Sequence, residues 1–208
     1  MSYSQVLAWD PHLSPCRRAD GVLLLAEGRA KIGSFTEEGK QTILAFIEPG
    51  ELFGELALLR SSERAEYAEA VEKSSVILLP SEVIQQLLSE NLAVAMGVTK
   101  LYGLRRQRIE RRLKYLLFRS KRDRLVHLLL ELAERYGERM SEGVQLRIKI
   151  SHQDLASIIG STRETVNVVL GELQAEGRLQ LGRRKIVLTD LAQLAESVNM
   201  PQPKLSAV

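Results

Sequence analysis

Cysteine is almost absent from this sequence: Cys16 stands alone among 208 residues. One thiol per chain cannot close an internal disulfide, and it cannot supply the thiolates of a cysteine-ligated zinc or iron–sulfur site. Histidine is scarce too, with only His12, His127 and His152, and none between Leu13 and Leu125. That gap excludes an enzyme built on a histidine-ligated metal in an N-terminal β-sandwich, and no metal or other cofactor is expected. Long apolar runs are also missing. No stretch approaches the roughly 20 residues of a membrane span, and residues 1–15 lack a basic-then-apolar leader. The expectation is a cytoplasmic protein without a membrane partner.

What is present, 208 residues with an apolar fraction of 45% that is ordinary for a packed protein, suggests two compact domains. The net charge of +3 is modest, but its distribution is uneven. Arg105, Arg106, Arg108, Arg111, Arg112 and Lys114 run on into Arg119, Lys121, Arg122 and Arg124, and Arg178, Arg183, Arg184 and Lys185 form a second cluster. Acidic residues gather instead between Glu48 and Glu90. Local basic clusters of this kind favour nucleic acid as a partner more than the overall charge does.

Between Val22 and Pro80, short apolar runs such as Val22-Leu25, Ala30-Phe35, Thr42-Ile47 and Val76-Leu79 alternate with turn residues. This spacing predicts an antiparallel sandwich or barrel, with Glu37-Glu38-Gly39-Lys40 closing a hairpin and Glu48-Pro49-Gly50 ending a strand. Pro80-Ser81 opens a helix. After Ser89 the period becomes helical, with Val94, Val98, Leu101, Ile109, Leu113 and Leu116 or Leu117 forming one stripe. A monomer could not bury such a seam, so the long helix is expected to pair with its copy in a second chain. Arg105, Arg108 and Arg112 interrupt the stripe, either as solvated flanks or as lining of a pocket. Asp123 is the expected cap of the next helix, which ends at Tyr136-Gly137.

The segment from Ile150 to Leu188 carries the most specific pattern. Ser151-His152-Gln153-Asp154 begins a helix that buries Leu155, Ile158 and Ile159, and Gly160 supplies the conformation needed for a sharp reversal. Ser161-Thr162-Arg163-Glu164 has the form of a capping box, with Ser161 and Glu164 as its reciprocal pair. On the helix that follows, Val166, Val169, Leu170 and Leu173 face inward, leaving Thr162, Arg163, Thr165 and Asn167 outward. A helix, tight turn and second helix is the geometry that places a helix in the major groove. Gly177 ends that helix, and Leu179 to Leu188 reads as two short strands around the basic tip Arg183-Arg184-Lys185. Such a wing would touch phosphates while the helix reads bases.

These motifs resemble the CRP/FNR regulators over nearly the whole chain. Ser151-His152-Gln153-Asp154-Leu155-Ala156 with Ile159-Gly160-Ser161-Thr162-Arg163-Glu164-Thr165-Val166 resembles that family's helix-turn-helix, with a likeness to its NtcA branch. Gly50-Glu51-Leu52-Phe53-Gly54-Glu55-Leu56 is similar to its phosphate-binding cassette. The resemblance implies an α+β chain: an N-terminal antiparallel β jelly-roll sensor domain over 1–90, a dimerisation helix over 91–120, and a winged helix-turn-helix over 121–208. It also implies a homodimer, double-stranded DNA and RNA polymerase as partners, and a TGTGA-like half-site. Arg163 and Glu164 match the family's base-reading positions, while Val168 stands where a basic residue is common.

The sensor domain admits three readings. Glu55 and Arg64 resemble the ribose and phosphate contacts of cyclic AMP-binding members, although Ala65 and Ile109-Glu110 replace hydroxyls that those members use. Arg105 and Glu110 resemble members that sense 2-oxoglutarate, although Glu66 and Glu55 would repel a dicarboxylate. In the third reading no effector binds, and Arg105, Glu110, Arg64 and Glu66 form ion pairs that fix the dimer. The rival from another class is a nucleotide-binding-like scaffold that does not touch DNA, which would leave Arg163 and the basic wing without a role. His127, among leucines, is expected in the core, and His152 is expected to contact phosphate or backbone.

Overall fold

A computed structural model describes residues 5–9, 21–55, 66–183 and 185–205. The chain divides into two compact units, Met1–Arg111 and Arg112–Val208. In the first, strands β1 (Gln5–Trp9), β7 (Ser74–Pro80), β2 (Gly21–Glu27) and β5 (Leu52–Phe53) form one antiparallel sheet in that order. Strands β4 (Gln41–Ile47), β3 (Ala30–Phe35) and β6 (Glu66–Ala70) form the second. The predicted runs therefore became strands, and Glu37-Glu38-Gly39-Lys40 joins β3 to β4.

Strand β2 shows how sequence becomes packing. Side chains alternate across a strand, so Leu23 and Leu25 point into the core between the sheets with Ile32, Ile47 and Phe53. Val22 and Leu24 point the other way, toward Leu52 and Ile84. Ile84 belongs to helix α1 (Ser81–Glu90), and Val98 and Leu101 of helix α2 (Leu92–Phe118) pack against the same group. Both faces of β2 are covered, which is why it reads as a continuous apolar run. Asn91 separates the helices: its N–H donates to Leu87 O at 3.1 Å, and its Oδ1 accepts from the Val94 N–H at 3.2 Å.

The expected continuous seam on α2 is corrected by this packing. Val98 and Leu101 are used inside their own unit, because the outer face of the β2 sheet needs a cover. Exposed apolar residues continue farther along, with Ile109 at 36%, Leu113 at 53% and Leu117 at 66% exposure.

In the second unit, α3 (Lys121–Tyr136) is followed by β8 (Gly137–Met140) and β9 (Gly143–Leu146), then α4 (His152–Ile159) and α5 (Arg163–Ala175). Strands β10 (Leu179–Gly182) and β11 (Lys185–Leu188) and helix α6 (Leu191–Ser197) complete it. The four strands pair antiparallel in the order β10-β11-β9-β8. Helix α3 is capped by Ser120, whose Oγ accepts from the Asp123 N–H at 3.1 Å. Asp123 is thus the third residue of the helix, not its cap, because the chain turns three residues earlier than expected. Gly137 closes α3 where a Cβ would stand 2.3 Å from Ala133 O and 2.7 Å from Val144 Cγ1. Only glycine lets β8 leave the helix this closely. Among the described residues no helix is long and apolar enough to cross a membrane.

Candidate functional site

The helix pair α4–α5 is built by local capping. Ser151 Oγ accepts from the Asp154 N–H at 3.0 Å while Asp154 Oδ2 accepts from the Ser151 N–H at 3.0 Å, so two donors that a helix start leaves unpaired are satisfied reciprocally. Gly160 ends α4 in the left-handed region at φ 62. The Ser161 N–H then reaches back to Ala156 O at 3.0 Å. That bond commits Ser161 to ending α4, so the expected Ser161–Glu164 box does not form. Its hydroxyl is buried without a hydrogen-bond partner, and the cap of α5 is Thr162, whose Oγ1 accepts from the Thr165 N–H at 3.2 Å. Arg163 and Glu164 therefore occupy the first two positions of α5, both exposed.

Glu164 is held ionised. Its own backbone N–H, then the Thr162 hydroxyl, stabilise the carboxylate below the usual range, and the neighbouring Arg163 adds to the effect. The outward face carries an acceptor-only group beside a guanidinium, with Asn167 and Val168 one turn on, both exposed. His152, at the start of α4, lies against this face with Nδ1 2.5 Å from Asn167 Oδ1. Val166, Val169, Leu170 and Leu173 are buried on the opposite side.

Strands β10 and β11 form the wing, and Gly182 pairs with Lys185 across a two-residue tip. Arg183 and Lys185 are exposed; Arg184 lies outside the described residues. Gln174 of α5 accepts from the Leu181 N–H at 3.2 Å, which fixes the wing to the end of the outward-facing helix.

Much of the basic stretch from 105 to 124 has structural work. The Arg124 guanidinium donates to Leu116 O at 2.6 Å, Arg119 O at 3.0 Å and Ile159 O at 3.3 Å, joining the ends of α2 and α4 to the start of α3. Arg122 holds α5 through Glu176 at 2.7 Å and Glu172 at 3.0 Å. No sequence signal separates these arginines from their neighbours, because their partners lie far along the chain. His127 is buried and stacks on Tyr115 at 3.9 Å, with Nδ1 against Met200 Sδ and Nε2 without a hydrogen-bond partner. Burial first, then Arg119, pushes its pKa down, against an opposing effect of Asp123.

A second cluster lies in the first unit. Arg105 is only 7% exposed and donates to Leu52 O at 2.7 Å. Its guanidinium stands 4.0 Å from Glu51, 3.9 Å from Glu55 and 5.3 Å from the Tyr102 ring centre. This overturns the solvated-flank reading for Arg105, because α2 leans that face onto β5. Burial, then the charge of Glu55, pushes the Glu66 carboxyl up, partly offset by Arg105. Burial and Glu55 also raise the Tyr102 hydroxyl. Of the expected pocket, Glu55, Glu66 and Arg105 come together beside Gly54. Ile109 is exposed, and Glu110 pairs with Arg106 at 2.7 Å on the exposed face of the helix. Within the chain, Arg105 and Glu110 thus have different charge partners, Glu51 and Glu55 for the first and Arg106 for the second. Leu56 and Arg64 lie outside the described residues.

Residues 12–91 match the family described as Cyclic nucleotide-binding domain, and residues 123–197 match that described as Crp-like helix-turn-helix domain. The chain is 31% identical over 172 residues to the Global nitrogen regulator of a Nostoc species, covering 82% of this chain and 77% of that one. It is 34% identical over 178 residues to the Transcriptional regulator SdrP of Thermus thermophilus, covering 85% and 83%. The Cyclic AMP receptor protein of the same organism is 32% identical over 173 residues, covering 83% and 77%. Among solved structures, a transcriptional regulator of the CRP/FNR family from Thermus thermophilus superposes with a TM-score of 0.75 at 29% identity, covering 94% of this chain and 98% of that one.

Proposed function

The chain belongs to the CRP/FNR family of DNA-binding transcription regulators, and from that premise we propose that it binds palindromic duplex DNA as a homodimer, α5 reading bases and the wing touching phosphates. The observation that carries this reading is the first turn of α5, where Arg163 and an ionised Glu164 stand exposed side by side. Arginine matches the two acceptors of guanine in the major groove, and a carboxylate accepts from the cytosine amino group. Ser151, Thr162, Thr165, Arg183, Arg184 and Lys185 are assigned to contacts with the DNA backbone. Ser161 is left out of this set because its hydroxyl is buried. The exposed Ile109, Leu113 and Leu117 on α2 form the dimer seam, which sets two half-sites about 34 Å apart. RNA polymerase is the further partner, the compartment is the cytoplasm, and no enzymatic activity is assigned.

In this reading the chain binds DNA without an effector, because the hydrogen-bonding and charge partners of Arg105 are internal. One observation favours a second reading. Glu55 Oε2 and Arg105 Nη1 are both buried without hydrogen-bond partners, and the gap of 3.9 Å between them is one that a ligand hydroxyl could bridge. A cyclic nucleotide offers such a hydroxyl; 2-oxoglutarate does not, and would meet Glu55 and Glu66 as like charges. Selection from randomised duplex DNA by the purified protein, alone, with cyclic AMP and with 2-oxoglutarate, tests all three. Enrichment of a two-fold palindrome without ligand supports the first reading. Enrichment only with cyclic AMP supports the second, and no enrichment in any arm contradicts both.

A further inference from the structure

We infer that His152 is a positioning residue that turns Asn167 into a donor-only reader, so that with Val168 the chain selects thymine over adenine at one step of each half-site. The inference rests on α5 being the reading helix.

Asn167 lies four residues after Arg163, on the same outward face of α5. An asparagine amide held at a base edge most readily recognises adenine, its carbonyl accepting from N6–H and its amino group donating to N7. That pairing needs both branches of the amide. Here Oδ1 lies 2.5 Å from His152 Nδ1, and a carbonyl oxygen can only accept, so Nδ1 carries the proton and the ring holds the carbonyl branch. The Nδ2 amino group, with two donors and no acceptor, is what Asn167 can offer a base.

Two further features support the assignment. His152 is itself held in place, since it is the first residue of α4, directly after the Ser151–Asp154 capping box, and its side chain is half-buried. The ring is therefore anchored in one helix while it restrains a side chain in the other. Beside Asn167 stands Val168, 62% exposed, an apolar side chain on a face that is otherwise polar. Thymine is the base that presents an acceptor and a methyl group together in the major groove. A donor from Asn167 and an apolar contact from Val168 match that pair of features, whereas adenine offers the Asn167 donors only N7, with the N6 amino group beside it, and presents no methyl to Val168.

The test is a binding titration on the selected palindrome and on a copy in which the thymine at this step is exchanged for adenine. Wild type, His152→Ala, Asn167→Ala and the double variant are compared. The wild type should prefer thymine, and His152→Ala should move the ratio toward adenine by about tenfold, because the amide regains both branches. The shift should vanish in the Asn167→Ala background, which separates it from any general loss of folding or affinity. If His152→Ala weakens both duplexes equally, or shifts the ratio equally in both backgrounds, this inference falls while the reading helix stands. If the wild type selects no palindrome, the reading helix falls and this inference with it.

Discussion

Arg105 and Arg163 stand on helices of the same chain and face opposite surroundings. Arg105 is buried among Glu51, Glu55 and the Leu52 carbonyl, and its charge is used within the molecule. Arg163 stands in the exposed first turn of α5, where its charge and its fork of donors remain available to a partner. The difference separates what charge does for a fold from what it does for recognition. Removing the first should cost stability, and removing the second should cost DNA affinity and specificity but no stability.

The largest effect should follow Arg105→Ala, which leaves the half-buried Glu55 and Glu66 without their neighbouring positive charge. Loss of one partner from a buried ion pair costs about 3–5 kcal/mol, and urea unfolding of the variant should show a loss near the lower end, because Glu66 can bind a proton. Arg163→Ala should leave the urea midpoint unchanged while the specific duplex is bound about 1–3 kcal/mol more weakly and base preference relaxes at its step. Equal weakening on every sequence would instead identify Arg163 as a phosphate contact.

A smaller effect compares two neighbouring hydroxyls. Thr162→Ala should destabilise the second unit by about 1 kcal/mol, as loss of a helix cap does, whereas Ser161→Ala should be near neutral because no bond is lost. Thermal unfolding of the two variants side by side distinguishes them. The smallest effect concerns His127, whose folded pKa lies below the ordinary histidine value of 6.5. The unfolded chain then takes up the proton first, so the stability contributed by the neutral ring is present above about pH 6.5 and is lost as pH falls toward the lower, folded value. His127→Phe should flatten that part of the stability profile between pH 7 and pH 5, measured by unfolding at a series of pH values.

The same contrast governs what could be read from the amino-acid order. The elements around Arg163 depend on residues within three or four positions, such as Ser151 with Asp154, Gly160, and the wing pair Gly182 and Lys185, so their pattern is visible in one dimension. Even there the cap moved by one residue, because Ser161 is committed to ending α4, a competition between adjacent motifs that propensity does not weigh. The surroundings of Arg105 depend on Leu52 and Glu55, about 50 positions away, and no local period announces them. Strands β8 and β9 escaped expectation for a related reason: four residues each, joined by a turn, are too short for alternation to stand out. Arg122 and Arg124 were legible as charge but not as fasteners, since their partners include Glu172 and Ile159 on other helices.

The central claim is that the ligand-free chain reads sequence through α5. Its most direct test is a titration of the purified, effector-free protein against its selected palindrome and a scrambled duplex of equal length over a series of salt concentrations. The palindrome should be preferred by at least about a thousandfold near physiological salt, with affinity for both duplexes falling as salt rises. Equal affinity for the two duplexes at every salt concentration would contradict the account.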